Sequence, residues 1–181
     1  MAIEIDEHID LKIRSGKEML TFTLLVMLEL SNEKEEAFKT FKSELEEKYA
    51  AVKKSADTVS ALKKKMRRAQ EDVEDLVTEL EEDLGKKERA KLLKQKRKAR
   101  EVLRNIEDTL EAENKTYDAK AYEEAGVALL EGIAQKSFDL HVEDDANAAA
   151  LRKTIAEKHI KYSVVVTELN RVMTEAKKKK K

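Results

Sequence analysis

The side chains of this sequence that could do chemistry are few and scattered. Histidine occurs three times, as His8, His141 and His159. An imidazole can ligate a metal or move a proton near neutral pH. His8 lies among Asp6, Glu7 and Asp10, and His141 precedes Glu143, Asp144 and Asp145. Neither cluster has the ligand spacing of a zinc site or a calcium loop. A carboxylate-bridged dimetal bundle needs Glu-x-x-His pairs on facing helices, and the chain has none. Cysteine is absent, which removes disulfides, thiolate metal sites and a thiol nucleophile. The four glycines are isolated, so no Gly-rich loop can cradle a phosphate. No motif recommends a serine–histidine–carboxylate triad. The sequence is therefore expected to have no catalytic residue, no metal and no cofactor.

Clustered lysine and arginine can neutralise phosphates. Two such runs are Lys63–Arg68 and Lys86–Arg104, and a third is the C-terminal run Lys177, Lys178, Lys179, Lys180 and Lys181. The first two are expected to be neutralised within the chain by acidic blocks, described below. They also lack the interleaved aromatics that stack on bases. The C-terminal run has no such partner in the sequence. It is a candidate for weak, salt-sensitive contact with nucleic acid, an anionic membrane or an acidic protein. Alternatively it is a solvated helix end, where lysines are favourable.

The elements that must carry these residues read as helices. Of 181 residues, 41% are charged and 41% hydrophobic, only 4% are aromatic, and proline is absent. That composition suits long helices or coiled coil rather than a sheet-based domain. Net charge is −1, so no global bias favours nucleic acid. The N-terminal segment is acidic, unlike a signal peptide. With the lack of cysteine, this suggests a cytoplasmic protein.

The strongest pattern is a mirror centred on Leu84-Gly85-Lys86. Before Gly85 an apolar seam recurs in steps of three and four through Phe38, Phe41, Leu45, Tyr49, Val52, Ala56, Val59, Leu62, Met66, Ala69, Val73, Leu76, Leu80 and Leu84. After it the seam resumes at Leu92, Ala99, Leu103, Ile106, Leu110, Tyr117, Ala121, Ala125, Ala128 and Ile133. These steps are those of a left-handed supercoil. Gly85 is expected just past a helix end, in a left-handed conformation. Folding the arms together sets Leu80 against Leu92, Ala69 against Leu103 and Leu62 against Leu110. Farther out, Leu45 meets Val127 and Ala128, and Phe38 meets Ala134. Charge follows the mirror. The acidic run Glu71–Asp83 faces the basic run Lys86–Arg100, and Lys63–Arg68 faces Glu101, Glu107, Asp108, Glu111 and Glu113. Sign-matched blocks make slipped registers repulsive.

Other signals divide the rest. Residues 3–14 read either as an i, i+4 stripe (Ile5, Ile9, Ile13), which is favoured, or with period two as an extended arm. Ser15 and Glu18 have capping-box spacing, so an apolar helix is expected from Gly16 to Leu30. Gly126 and Gly132 lie in helical sequence and suggest tight packing of the final helix against theirs. The acidic cluster Glu143–Asp145 suits a helix N-terminus, leading into one helix from Ala146 to Ala176.

The expected fold is all-α: a long antiparallel coiled-coil hairpin with a three- to four-helix bundle at its open end. Residues 16–60 and 112–176 form the bundle end, 61–111 the stalk, and 177–181 a basic tail. A helix apolar on nearly all sides leaves a surplus of exposed apolar surface, which marks an interface. Leu20, Leu24, Leu25 and Leu28 are thus the candidate residues for self-association or a protein partner. The function expected is a non-enzymatic scaffold, spacer or adaptor, with anionic-surface binding through the lysine tail as the alternative. No small-molecule substrate is expected.

Overall fold

The computed structural model describes residues 6–181. The elements are β1 (Asp6–Ser15), β2 (Glu18–Met27), α1 (Asn32–Glu81), α2 (Lys86–Thr116), α3 (Ala119–His141), α4 (Ala146–Glu157) and α5 (Tyr162–Lys179). The chain is mostly helical, with one two-stranded sheet. It divides into two compact units. Unit 1 is Met1–Tyr49 with Glu124–Lys181, and unit 2 is Ala50–Glu123.

In unit 1 the helix expected from Gly16 to Leu30 is instead the second half of a β-hairpin. The favoured helical reading of residues 3–14 also gives way to the extended one from Asp6 onward; Ile3 and Ile5 lie outside the described residues. The cause is the turn. Gly16 has φ 60, and Lys17 is not among the positive-φ residues. Glycine at the first central position of a two-residue loop is the type II′ turn, whose twist matches that of paired strands. Ser15 and Glu18 are the pair that closes it, not the two ends of a capping box. Alternation then sorts the side chains. Ile9 pairs with Leu24, Leu11 with Phe22 and Ile13 with Leu20 on the inner face. On the outer face Asp10 pairs with Thr23, whose Oγ1 donates to the carboxylate at 2.6 Å.

The inner face is covered by α5 packed on β1 and α4 packed on β2. Leu11, Leu24, Val26, Phe138, Leu151, Val165 and Leu169 are fully buried there. Along the stretch expected to form the last helix, Leu151, Ile155, Val165, Leu169 and Met173 are buried, with Tyr162, Val166 and Val172 packed against them. That helix is not continuous, however. It stops at Lys158, where His159 takes φ 52 and the Ile160 N–H donates to the Ile155 carbonyl at 3.0 Å. This six-to-one bond is a Schellman ending. The Asp145 side chain accepts from the Ala148 N–H at 2.8 Å, so the acidic cluster does start a helix.

The second arm, whose seam was expected to continue through Tyr117 to Ile133, also breaks, at Tyr117–Asp118. The Asp118 carboxylate accepts from the N–H groups of Lys120 and Ala121 at 2.9 and 3.1 Å, which starts α3 as a new helix. Within unit 1, α1 and α3 run antiparallel. The Lys136 ammonium lies 5.5 Å from the Phe41 ring centre. A Cβ on Gly132 would lie 3.1 Å from Leu45 Cδ1, and one on Gly126 would lie 3.6 Å from Tyr49 Cε2. The two glycines thus admit α1, not the final helix. Leu45 meets Gly132 instead of Val127 and Ala128, which are exposed. The new start at Asp118 resets the register that an unbroken arm would have kept.

In unit 2, Val59, Ala69 and Leu110 are buried. Val52, Ala56, Leu62, Met66, Val73, Leu76, Leu80 and Leu84 are half-buried, as are Leu92, Ala99, Leu103 and Ile106. Ala121, expected in the seam, is exposed, because it follows the break. Gly85 is not left-handed. It has φ −62 and ψ 150 and is the residue that begins α2. The mirrored charge blocks make no direct ion pairs: among the described residues none joins Lys63–Arg68 to the acidic residues of α2. Arg67 instead pairs with Glu71 one turn along its own helix at 3.1 Å, and Lys115 with Glu111 at 3.1 Å.

Candidate interaction surface

The candidate leucines separate by burial, the inner face of β2 closing over Leu24 more fully than over Leu20 near the turn. Leu24 is 0% and Leu28 1% exposed, so both are core residues of unit 1. Leu20 and Leu25 are half-buried. The apolar surplus expected of one short helix is absorbed because a hairpin has two faces and the second is partly covered. The Glu143 N–H donates to the Leu25 carbonyl at 3.0 Å, and Val142 bridges Val26. Truncating Leu24 to Ala would cost about 2–5 kcal/mol of stability, so Leu24 and Leu28 are the wrong places to test association.

The large apolar side chains that unit 1 does expose are Met19 (61%), Leu130 (65%), Val164 (51%) and Val127 (45%). Val127 and Leu130 are three apart, on one face of α3. The next residue, Glu131, reaches the first turn of α5. Its carboxylate accepts from the Tyr162 N–H at 2.7 Å and from the Ser163 hydroxyl at 2.5 Å. It thereby takes the place of a local cap, since Lys161 supplies none. This contact anchors the start of α5, where Val164 is exposed, to α3.

The lysine run is not a separate tail. Lys177, Lys178 and Lys179 are the last residues of α5, and Lys180 forms an ion pair with Glu7 of β1 at 2.5 Å. Part of the run therefore has a partner in the chain, contrary to the sequence reading. Lys181 and the α5 lysines are exposed. Between β1 and the end of α5 lies a groove of about 310 Å³ lined by Glu7–Asp10 and by Val172, Glu175, Ala176, Lys179 and Lys180.

The three histidines are separated. His8 is exposed on the outer face of β1. His159 serves the backbone ending of α4. His141 is half-buried, with Nδ1 2.9 Å from the Met27 carbonyl oxygen. Burial pushes its pKa below the ordinary imidazole value, against the pull of that hydrogen bond, and Lys177 and Lys34 add to the lowering. The neutral ring donates Nδ1–H to the carbonyl. Among the described residues no group of three or more His, Asp or Glu is placed to hold a metal ion.

Sequence reasoning missed Arg152, which joins three segments. Its guanidinium lies 5.3 Å from the Phe138 ring centre, donates to Asp144 at 2.8 Å and to Asp139 at 3.2 Å. One arginine beside Lys153 in an alanine-rich helix carries no periodic signal that would have singled it out.

No helix among the described residues is long and apolar enough to cross a membrane. Comparison with protein families, curated proteins and solved structures gave no match. The residues themselves carry the functional reading.

Proposed function

We propose that this chain is a non-enzymatic scaffold or adaptor. Its long helices act as a coiled-coil hairpin and spacer, and unit 1 makes the protein contacts, with a second copy of the chain or with a protein partner. The observation that supports this most is the seam of α1. All its positions from Phe38 to Leu80 are buried or half-buried, while the residues between them are mostly exposed. A narrow stripe sustained over so many turns is the pattern of a helix partnered along its length. Exposed Val127 and Leu130 on one face of α3, and exposed Val164 of α5, support contact through unit 1, since exposed apolar surface is what an interface covers.

Solution mass tests the association. Analytical ultracentrifugation of the full chain at tens of micromolar is expected to show a defined oligomer above the 20.7 kDa chain mass. A species that stays at the chain mass would reject self-association and leave a hetero-partner as the use of this surface. Leu130→Lys with Val164→Lys should abolish capture of that partner without loss of helicity.

A further inference from the structure

The sheet of unit 1 has an open edge. In a hairpin closed by the pair Ser15–Glu18, the odd-numbered residues of β1 exchange backbone hydrogen bonds with β2. The even-numbered ones turn their N–H and C=O groups the other way. The Leu25 carbonyl, opposite His8, confirms this phase, because it accepts from Glu143 on the far side of β2. Among the described residues no backbone group pairs with the outward groups of His8, Asp10, Lys12 or Arg14. The groove beside this edge has Val172 and Ala176 of α5 on its other wall. An added strand would find main-chain partners on one side and apolar side chains on the other.

We propose that the occupant is β1 of a second copy of this chain, paired antiparallel about a two-fold axis into a four-stranded sheet. This rests on the self-association proposed above and names its site. The charges along the edge support that occupant and fix the register. The outward row reads Asp6, His8, Asp10, Lys12, Arg14, acidic at one end and basic at the other. Two copies running parallel would set like against like at every position. Antiparallel copies set opposite signs together. One register pairs Asp10 with Lys12 of the partner subunit, twice by symmetry, and leaves no like-charged pair of acids or lysines on the axis. Sliding by one pair in one direction sets Asp10 against Asp10 of the partner subunit. Sliding in the other direction sets Lys12 against Lys12 of the partner subunit. The favoured register also places Leu11 against Leu11 of the partner subunit, and Ile9 against Ile13 of the partner subunit. The buried apolar row of one sheet then continues into the other. A two-fold interface requires this self-complementarity.

The test uses Asp10→Lys and Lys12→Asp in the full chain, both at exposed positions. Each alone brings like charges together at two sites and should raise the dimer dissociation constant about tenfold or more. An equimolar mixture of the two variants restores opposite charges at both sites and should dimerise as the wild type does. Amide exchange on the wild type gives a readout free of substitution. The His8, Asp10 and Lys12 amides should be protected at high concentration and exchange faster on dilution. A wild-type dimer that both variants leave intact, or amides indifferent to concentration, would overturn edge pairing while self-association stood. A wild type that is monomeric at tens of micromolar would overturn both.

Discussion

Two histidines act on the conformation of the chain, in opposite senses. His159 holds φ 52 at the end of α4, a region that costs a side-chain-bearing residue about 1–2 kcal/mol. Glycine has no such cost. His159→Gly is therefore expected to stabilise the chain by about 1 kcal/mol in urea denaturation. A loss of stability would mean that the ring makes a contact that matters more than its backbone. His141 works in the opposite sense. Burial depresses its pKa from the ordinary 6.5, so the unfolded chain takes up a proton first as pH falls. Its contribution is fully present above 6.5 and is lost as pH drops toward the lower folded value. Stability should fall as pH drops through 6.5, and His141→Gln should flatten that part of the profile. An identical slope in the variant would assign the pH dependence to other groups.

Among the elements, the two glycines of α3 separate helix propensity from packing. Glycine costs a helix interior about 1 kcal/mol relative to alanine. At Gly126 a Cβ would meet Tyr49 at 3.6 Å, an ordinary contact, whereas at Gly132 it would meet Leu45 at 3.1 Å. Gly126→Ala should thus raise the melting temperature, and Gly132→Ala should gain less or lose. Equal gains would show that α1 yields to the added methyl.

The same elements show what the sequence made legible. The seam of α1 was readable because one stripe on a long helix leaves a period that nothing else imitates. The strands were not, for three local reasons. Ile5, Ile9 and Ile13 satisfy both a helical stripe and an alternating one. Ser15 and Glu18 have the same spacing in a capping box as across a two-residue turn. The run Leu24–Leu28 lacks alternation because the outer-face residues are covered as well: Met27 is buried, with Lys34 Nζ 3.2 Å from its sulfur, and Leu25 is half-buried. The decisive signal was Gly16-Lys17, which fits a type II′ turn, between a period-two run and Thr21-Phe22-Thr23. Of the candidate interaction residues, the leucines were chosen for apolarity. Apolarity alone does not distinguish a core from an interface.

For the molecule as a whole, the mirror about Gly85 proposes that the chain folds back on itself. Complementary blocks that do not touch still bias the fold, since charges act beyond hydrogen-bond range and are screened only over about 10 Å at 0.1 M salt. Their individual pairs contribute little, about 0–1 kcal/mol each when exposed. Raising salt should therefore lower the stability of unit 2 only modestly, as the apolar seam remains. The most direct measurement is a distance. Spin labels at Ser60 and Glu111, both exposed, report on the two arms within unit 2, in chains diluted with unlabelled protein so that only distances within one chain count. Folded-back helices place the labels within about 30 Å, two helix diameters plus the linkers. A distribution near 75 Å, the separation expected at about 1.5 Å per residue if the arms ran on in line, would contradict the hairpin and with it the spacer.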